Sequence, residues 1–161
     1  MSYNDVYTAL SGSQAVAATT ATPVLSLYGT AAKRLWIVGV RVKVLVTAAV
    51  AGNDIRFQLA RPAATNTGTG LASGSPHDFS SPASIGQLAV AWSTAPTVGV
   101  ILAEWVVPQT TGSAWEEFPP TGVEWGVPAV ANANANAGVH LFAIPTVNTS
   151  TPVSVDIIWG E

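Results

Sequence analysis

The sequence predicts an all-β protein, a single-domain β-sandwich or jelly roll of about eight strands. Apolar residues alternate with polar or small ones through most of the chain, which is the pattern of strands with one buried face. No long segment repeats apolar residues at helical spacing, and 14 Gly and 11 Pro divide the 161 residues into short pieces. The length suits one domain.

Two strands that carry cations stand out in the first half. The clearest spans 35–46 and places its even-numbered residues, beginning with Trp36, on the expected core face. The next spans 54–59, with apolar side chains at its odd-numbered positions. Gly52-Asn53 lies between them and is typical of a hairpin turn, so we expect the two strands to be antiparallel neighbours.

The other predicted strands are short and lie between Pro, Gly and Asn residues. Residues 62–83 are expected to form a long loop, and residues 84–92 fit either a short helix or a strand. A turn is expected at 119–122, and the Asn-rich tract at 131–138 favours turns. The remaining strands are predicted at 24–28, 98–107, 115–118, 123–127, 138–144 and 153–159.

Two domain assignments follow, an N-terminal arm at 1–22 and a β-sandwich domain at 23–161. The arm is small, polar and weakly alternating. We expect it to order only against a neighbour in an assembly, and a disordered terminus is the other interpretation. The first ten residues lack the features of a signal peptide, and no apolar run approaches the ~18 residues of a membrane span.

Charged residues are scarce and unevenly placed. They make up 9% of the chain, against about 25% in an average soluble domain. All six cations lie within 33–61, and residues 62–161 carry seven anions and no cation. Either strands from the two halves pair within the fold, or the protein presents a basic and an acidic face to neighbours. Six cations on an acidic chain make nucleic-acid binding unexpected.

The sequence offers little for catalysis, and we expect no catalytic, cofactor-binding or metal-binding residue. There is no Cys, which excludes disulfides and thiolate metal sites. Only two His occur, at 77 and 140, too few for a histidine-based metal site. Glu116 and Glu117 are adjacent and point to opposite faces of a strand, whereas Glu104 and Glu124 could meet across strands. A cupin-like enzyme remains a third hypothesis, to which the lack of a His cluster is the main objection.

Six Trp are the unusual feature of the composition. We place core packing first, interface anchors second and a platform for sugar rings third. The six are Trp36, Trp92, Trp105, Trp115, Trp125 and Trp159.

Five segments together resemble small structural proteins of tailed bacteriophages, the capsid decoration or minor capsid proteins with a β-sandwich fold. They are KRLWIVGVRVKV (33–44), STAPTVG (93–99), LAEWVVPQTTG (102–112), FPPTGVEWGVP (118–128) and VSVDIIWGE (153–161). The resemblance spans residues 30–161 and is a pattern of strands and turns without a catalytic signature.

The resemblance implies a non-enzymatic virion protein on the capsid exterior. Its partner would be the major capsid protein, which it would bind and stabilise as a cement subunit. A homo-oligomer is expected, with a trimer favoured, and no cofactor, nucleic acid or membrane. The alternative is a tail, fibre or carbohydrate-binding β-sandwich module.

Overall fold

The computed structural model is all-β over the residues it describes, which are 5–16, 20–30, 33–46, 53–78, 80–121, 123–130, 132–134, 137–147 and 151–161. Within them no helix is long and apolar enough to cross a membrane. The strands are β1 (Val6–Val16), β2 (Thr22–Tyr28), β3 (Leu35–Val44), β4 (Asp54–Pro62), β5 (Thr67–Thr69), β6 (Ala72–Ser73), β7 (Ser75–Pro76), β8 (Gln87–Ala89), β9 (Ala91–Thr94), β10 (Val98–Pro108), β11 (Ala114–Glu117), β12 (Trp125–Val127), β13 (Val139–Pro145) and β14 (Thr151–Gly160).

These strands form two six-stranded sheets and one small ribbon. The first sheet has the order β11-β3-β14-β1-β7, and β12 pairs with the same β3 strand as β11. The second has the order β10-β4-β13-β2-β8-β6, and β5 pairs with β9 outside both. The pairings within both sheets are antiparallel.

One core lies between the sheets and is rich in Val, Leu, Ile and Trp from both. β14 contributes the alternate residues that its pattern predicts, Val153, Val155, Ile157 and Trp159. β4 contributes Ile55, Phe57 and Leu59 from the facing sheet. Burial of such side chains is the main favourable contribution to folding. The all-β fold and the sandwich arrangement are therefore confirmed.

A bulge changes which face of β3 is buried. Opposite β14, Ile158 pairs with Gly39 and Trp159 pairs with Ile37, which leaves one extra residue in β3. An extra residue moves the following side chains to the other face. Leu35 and Ile37 are therefore buried before the bulge, and Val40, Val42 and Val44 after it. The prediction that Trp36 and Val38 belong to the core face was wrong, since both are only half-buried.

The predicted hairpin between the two basic strands was also wrong. β3 pairs with β14 and β11, whereas β4 pairs with β10 and β13 in the other sheet. Each strand has one apolar face, and a sandwich core needs such faces from both sheets. The connection therefore crosses from one sheet to the other. Gly52 of the predicted turn lies outside the described residues.

The N-terminal arm is corrected for residues 6–16, which form β1 between β14 and β7. The pairing with β14 shifts between Leu10 and Ser13, and Gly12 has a positive φ of 69°. The irregularity breaks the period-two pattern, so the sequence does not read as a strand. Residues 1–4 and 17–19 of the proposed arm lie outside the described residues.

The long loop predicted at 62–83 contains three short strands, β5 to β7. The ambiguous segment at 84–92 is extended and contributes β8, which confirms its strand interpretation over the helical one. These short elements matter because β6, β7 and β8 lengthen both sheets on one side of the sandwich.

Candidate functional site

The two sides of the sandwich end differently. On the covered side, residues 72–89 add β6, β7 and β8 beyond β1 and β2. On the open side, residues 98–127, the sheets end at β10 in one and at β11 and β12 in the other. Residues 109–113 join β10 to β11, so both of these edges lie at the same side of the domain.

The covered side buries two large aromatic side chains beneath glycines. Trp159 and Tyr7 are fully buried and stack with ring centroids 5.9 Å apart. A Cβ atom at Gly74 would lie 2.1 Å from Cη2 of Trp159, and one at Gly86 would lie 2.7 Å from its Nε1. Only glycine therefore lets residues 74 and 86 lie so close to the indole. The Tyr7 hydroxyl donates to the Pro82 carbonyl at 2.9 Å.

Glu161 fastens this cover to the end of β14. Its carboxylate accepts hydrogen bonds from Ser84 Oγ, from the backbone N–H groups of Ile85 and Gly86, and from Trp159 Nε1. Burial raises the pKa of Glu161, but the hydrogen bonds to its charged form outweigh burial, so the pKa is lowered overall. The charged carboxylate is therefore a structural part of the covered side.

The open side presents a long strand edge. β10 has 11 residues and pairs only with β4 in the described structure. Val100, Ile101 and Val106 are 65%, 46% and 53% exposed. Two register shifts bend its first half, and the pairing is regular from Ala103 to Pro108. An exposed apolar edge is a template for pairing with another chain.

Aromatic and apolar side chains are also exposed on β11 of the other sheet and in the segment that follows it. Trp115, Phe118 and Val123 are about half exposed. Phe118 packs on Gly39, where a Cβ atom would lie 3.1 Å from its Cε1. Six of the eleven exposed large apolar side chains of the described residues lie between positions 100 and 123. Residues 98–127 therefore carry most of the exposed large apolar side chains of the described residues.

Charge pairing between neighbouring strands of the same sheet joins the two halves of the sequence. Arg41 Nε lies 2.7 Å from Glu116 Oε1, and Arg56 Nε lies 3.9 Å from Glu104 Oε2. Arg41 also lies 3.8 Å from Asp156. Internal pairing thus explains part of the uneven charge, although such half-exposed pairs contribute little stability. Within the described chain, four cations have no carboxylate within 4.0 Å, namely Lys33, Arg34, Lys43 and Arg61.

The two histidines differ in burial. His77 is exposed, whereas His140 is fully buried. His140 Nε2 lies 3.0 Å from the Ala137 carbonyl, which requires Nε2 to donate. Its Nδ1 then accepts from Ser26 Oγ at 2.7 Å, and Ser26 Oγ accepts from Trp92 Nε1 at 2.9 Å. Hydrogen bonds therefore link Trp92, Ser26, His140 and Ala137 in series, and the buried serine–histidine pair has a structural role.

Burial lowers the pKa of His140 to about 4, against a smaller opposing effect of its bond to Ala137. The ring is therefore neutral at neutral pH. No group of three metal-ligating side chains occurs among the described residues.

The structure separates the carboxylates that the sequence could have paired. Glu116 binds Arg41, and Glu117 accepts a hydrogen bond from Trp115 Nε1 at 2.8 Å. Glu104 accepts a hydrogen bond from Gln58, whereas Glu124 lines a different cleft. The geometry gives none of these pairs an acid–base arrangement.

The core interpretation of the tryptophans is right for half of them. Trp105, Trp125 and Trp159 are buried. Trp36 and Trp92 are half-buried, and Trp115 is 48% exposed on the open side.

Sequence reasoning missed the apolar edge because Ile101 alternates in step with Trp105 and Val107, which are buried in the same strand. The irregular pairing of residues 98–103 turns that side chain outward. One signal was present, since no charged residue occurs between Asp78 and Glu104. A long uncharged segment that includes a strand is typical of a protected or partnered edge.

No protein-family model and no curated protein matches the sequence.

Proposed function

We propose that this chain is a structural virion protein, a capsid decoration subunit that binds and stabilises the major capsid lattice from outside. It acts without catalytic residues or a cofactor, and it assembles as a homo-oligomer, with a trimer favoured. The capsid partner comes from the sequence resemblance. The open side is the observation that carries the assembling role.

The strand order supports the jelly-roll form of the sandwich. Of the eight long or central strands β1, β2, β3, β4, β10, β11, β13 and β14, the first pairs with the last and the second with the seventh. The third pairs with the sixth and the fourth with the fifth. A single antiparallel ribbon folded over one core has these pairings. Jelly rolls occur in viral capsid and lectin domains, among others.

The open side supports assembly for a physical reason. Charged residues are one protection of a sheet edge, and β10 carries only Glu104. Glu104 is occupied by Gln58 and Arg56. Val100, Ile101 and Val106 thus remain exposed on β10, and Trp115 and Phe118 are exposed on and after β11. Aromatic residues and a scarcity of charge are characteristic of interface cores.

The experiment is a measurement of size followed by co-sedimentation with shells that lack this protein. We expect purified protein to scatter light as a closed oligomer and to pellet with the shells. A monomer that stays in the supernatant would contradict the proposal.

A second candidate function, a tail, fibre or carbohydrate-binding module, is favoured by one observation. Trp36, half-buried and outside the core, lines an open cleft with two arginines. Glycan binding by protein that does not pellet with shells would favour this candidate.

A further inference from the structure

We propose that the cleft beside Trp36 binds an acidic sugar. The cleft has a volume of about 350 Å³ and lies where β3 and β12 begin and β4 ends. Its lining residues are Arg34, Trp36, Arg61, Glu124, Gly126 and Pro128. The site goes beyond the assembly role and does not depend on it.

Two arginines supply the anion-binding part of the cleft. Arg34 and Arg61 are exposed, and neither has a carboxylate within 4.0 Å among the described residues. The other two arginines of the chain, Arg41 and Arg56, both have carboxylate partners. Guanidinium groups bind carboxylates through paired N–H donors. The two arginines without a carboxylate partner among the described residues therefore lie in one cleft.

Trp36 holds Arg34 in place and forms an apolar wall. The guanidinium carbon of Arg34 lies 5.5 Å from the centroid of the indole ring. Gly126 of β12 lies against the same ring, and a Cβ atom at this position would lie 2.9 Å from Trp36 Cζ3. Glycine therefore lets β12 lie close to the indole. An arginine stacked on an indole is ordered before a ligand arrives, which lowers the entropy cost of binding.

Glu124 restricts the class of ligand that fits the cleft. A simple anion such as phosphate would meet this carboxylate as a like charge. A neutral sugar would leave both guanidinium groups without an anionic partner. A ligand that carries a carboxylate at one position and hydroxyl donors at another satisfies Arg34, Arg61 and Glu124 together. An acidic sugar has this chemistry, and its C–H groups suit the indole wall.

The test is an NMR titration of the purified full chain that follows the indole N–H resonance of Trp36. The probes are three hexuronates (glucuronate, galacturonate and mannuronate), with glucose and acetate as the matched neutral sugar and the simple anion. We expect at least one hexuronate to shift the Trp36 resonance saturably and to bind about tenfold or more tightly than glucose or acetate.

The variants are Arg34→Gln, Arg61→Gln and the control Lys43→Gln, which removes an exposed cation outside the cleft. Each arginine variant should weaken hexuronate binding by about tenfold, and the control should leave it unchanged within about twofold. Three results would overturn the proposal: no saturable shift at Trp36 with any hexuronate, equal binding of glucose or acetate, or an equal loss in Lys43→Gln.

Discussion

The covered and open sides of the sandwich treat their sheet edges differently: the chain covers one side with its own residues and leaves the other exposed. On the covered side, residues 72–89 bury Trp159 and Tyr7 and are fastened by Glu161. On the open side, β10 carries exposed Val100, Ile101 and Val106, and β11 carries exposed Trp115. The same sandwich thus ends once in an intramolecular cover and once in an apolar surface.

Under the proposed assembling function, the open side is the surface expected to bind another subunit. A chain in which 9% of residues are charged has few means of protecting an edge by charge. It protects one side with an insertion of its own, residues 72–89. The other side leaves apolar groups to be covered by a partner, as expected of an assembling protein. Substitutions should therefore act on folding at the covered side and on assembly at the open side.

The largest contrast is expected between two tryptophans. Trp159→Ala should lower the free energy of unfolding by about 3–5 kcal/mol, because it empties a fully buried site beneath the insertion. Trp115→Ala should change it by no more than about 0.5 kcal/mol, since that side chain is 48% exposed. Denaturant unfolding of both variants measures this. Equal losses would show that the two sides do not differ as described.

Acid should destabilise the fold through His140 of β13, whose partners Ser26 and Trp92 lie on β2 and β9. Its pKa falls from 6.5 to about 4 on folding, so the unfolded chain binds the proton first as the pH decreases. The free energy of unfolding should fall by about 3 kcal/mol between pH 6.5 and 4. His77→Gln should keep this pH dependence and His140→Gln should remove it. A fall that survives in His140→Gln would assign it to other groups.

Overpacking tests the contact between the insertion and Trp159. Gly74→Ala places a Cβ atom where only 2.1 Å is available, so it should cost about 1–3 kcal/mol of unfolding free energy. The exposed neighbour Ser73 supplies the control, Ser73→Ala, which should be close to neutral. Thermal unfolding compares them. A neutral Gly74→Ala would mean that residues 72–76 lie farther from Trp159.

The smallest effect on the free energy of unfolding is expected at Glu161, whose carboxylate binds residues 84–86. Glu161→Gln should cost about 1 kcal/mol, because hydrogen bonds to a charged acceptor become bonds to a neutral one. The lowered pKa means that this contribution is present above the ordinary pKa of 4.5 and is lost as the pH falls through the folded value. Glu117→Gln is the control, since Glu117 accepts a single side-chain bond from Trp115. A cost that does not shrink in acid would contradict the charged role of Glu161.

The sequence predicted most of the strands because a period-two pattern reports one buried face directly. It failed where pairing is irregular. The bulge near Gly12 concealed β1, and the bulge in β3 exchanged the faces of Trp36 and Ile37. It also joined β3 and β4 in a hairpin, because turn residues indicate a reversal of the chain but not which sheet receives the next strand.

The candidate sites were harder to predict than the fold. Whether a strand lies at an edge depends on the order of all strands in the sheet, so the exposure of Val100 and Ile101 could not be read from their own segment. The cleft joins Arg34, Arg61 and Glu124 from distant parts of the chain. The uneven charge, the tryptophans and the resemblance all pointed toward a partner, but none of them located the surface that would bind it.

The most direct test of the proposal that the open side binds other subunits is a pair of valine substitutions. Val106→Lys places a charge on the open side, and Val90→Lys places the same charge at an exposed valine next to β8 on the other side. Sedimentation velocity, together with co-sedimentation with shells, measures both variants against the unmodified protein. We predict that Val106→Lys remains folded but loses the oligomer and the shell, and that Val90→Lys keeps both. Assembly that survives Val106→Lys, or is lost equally in Val90→Lys, would contradict the account.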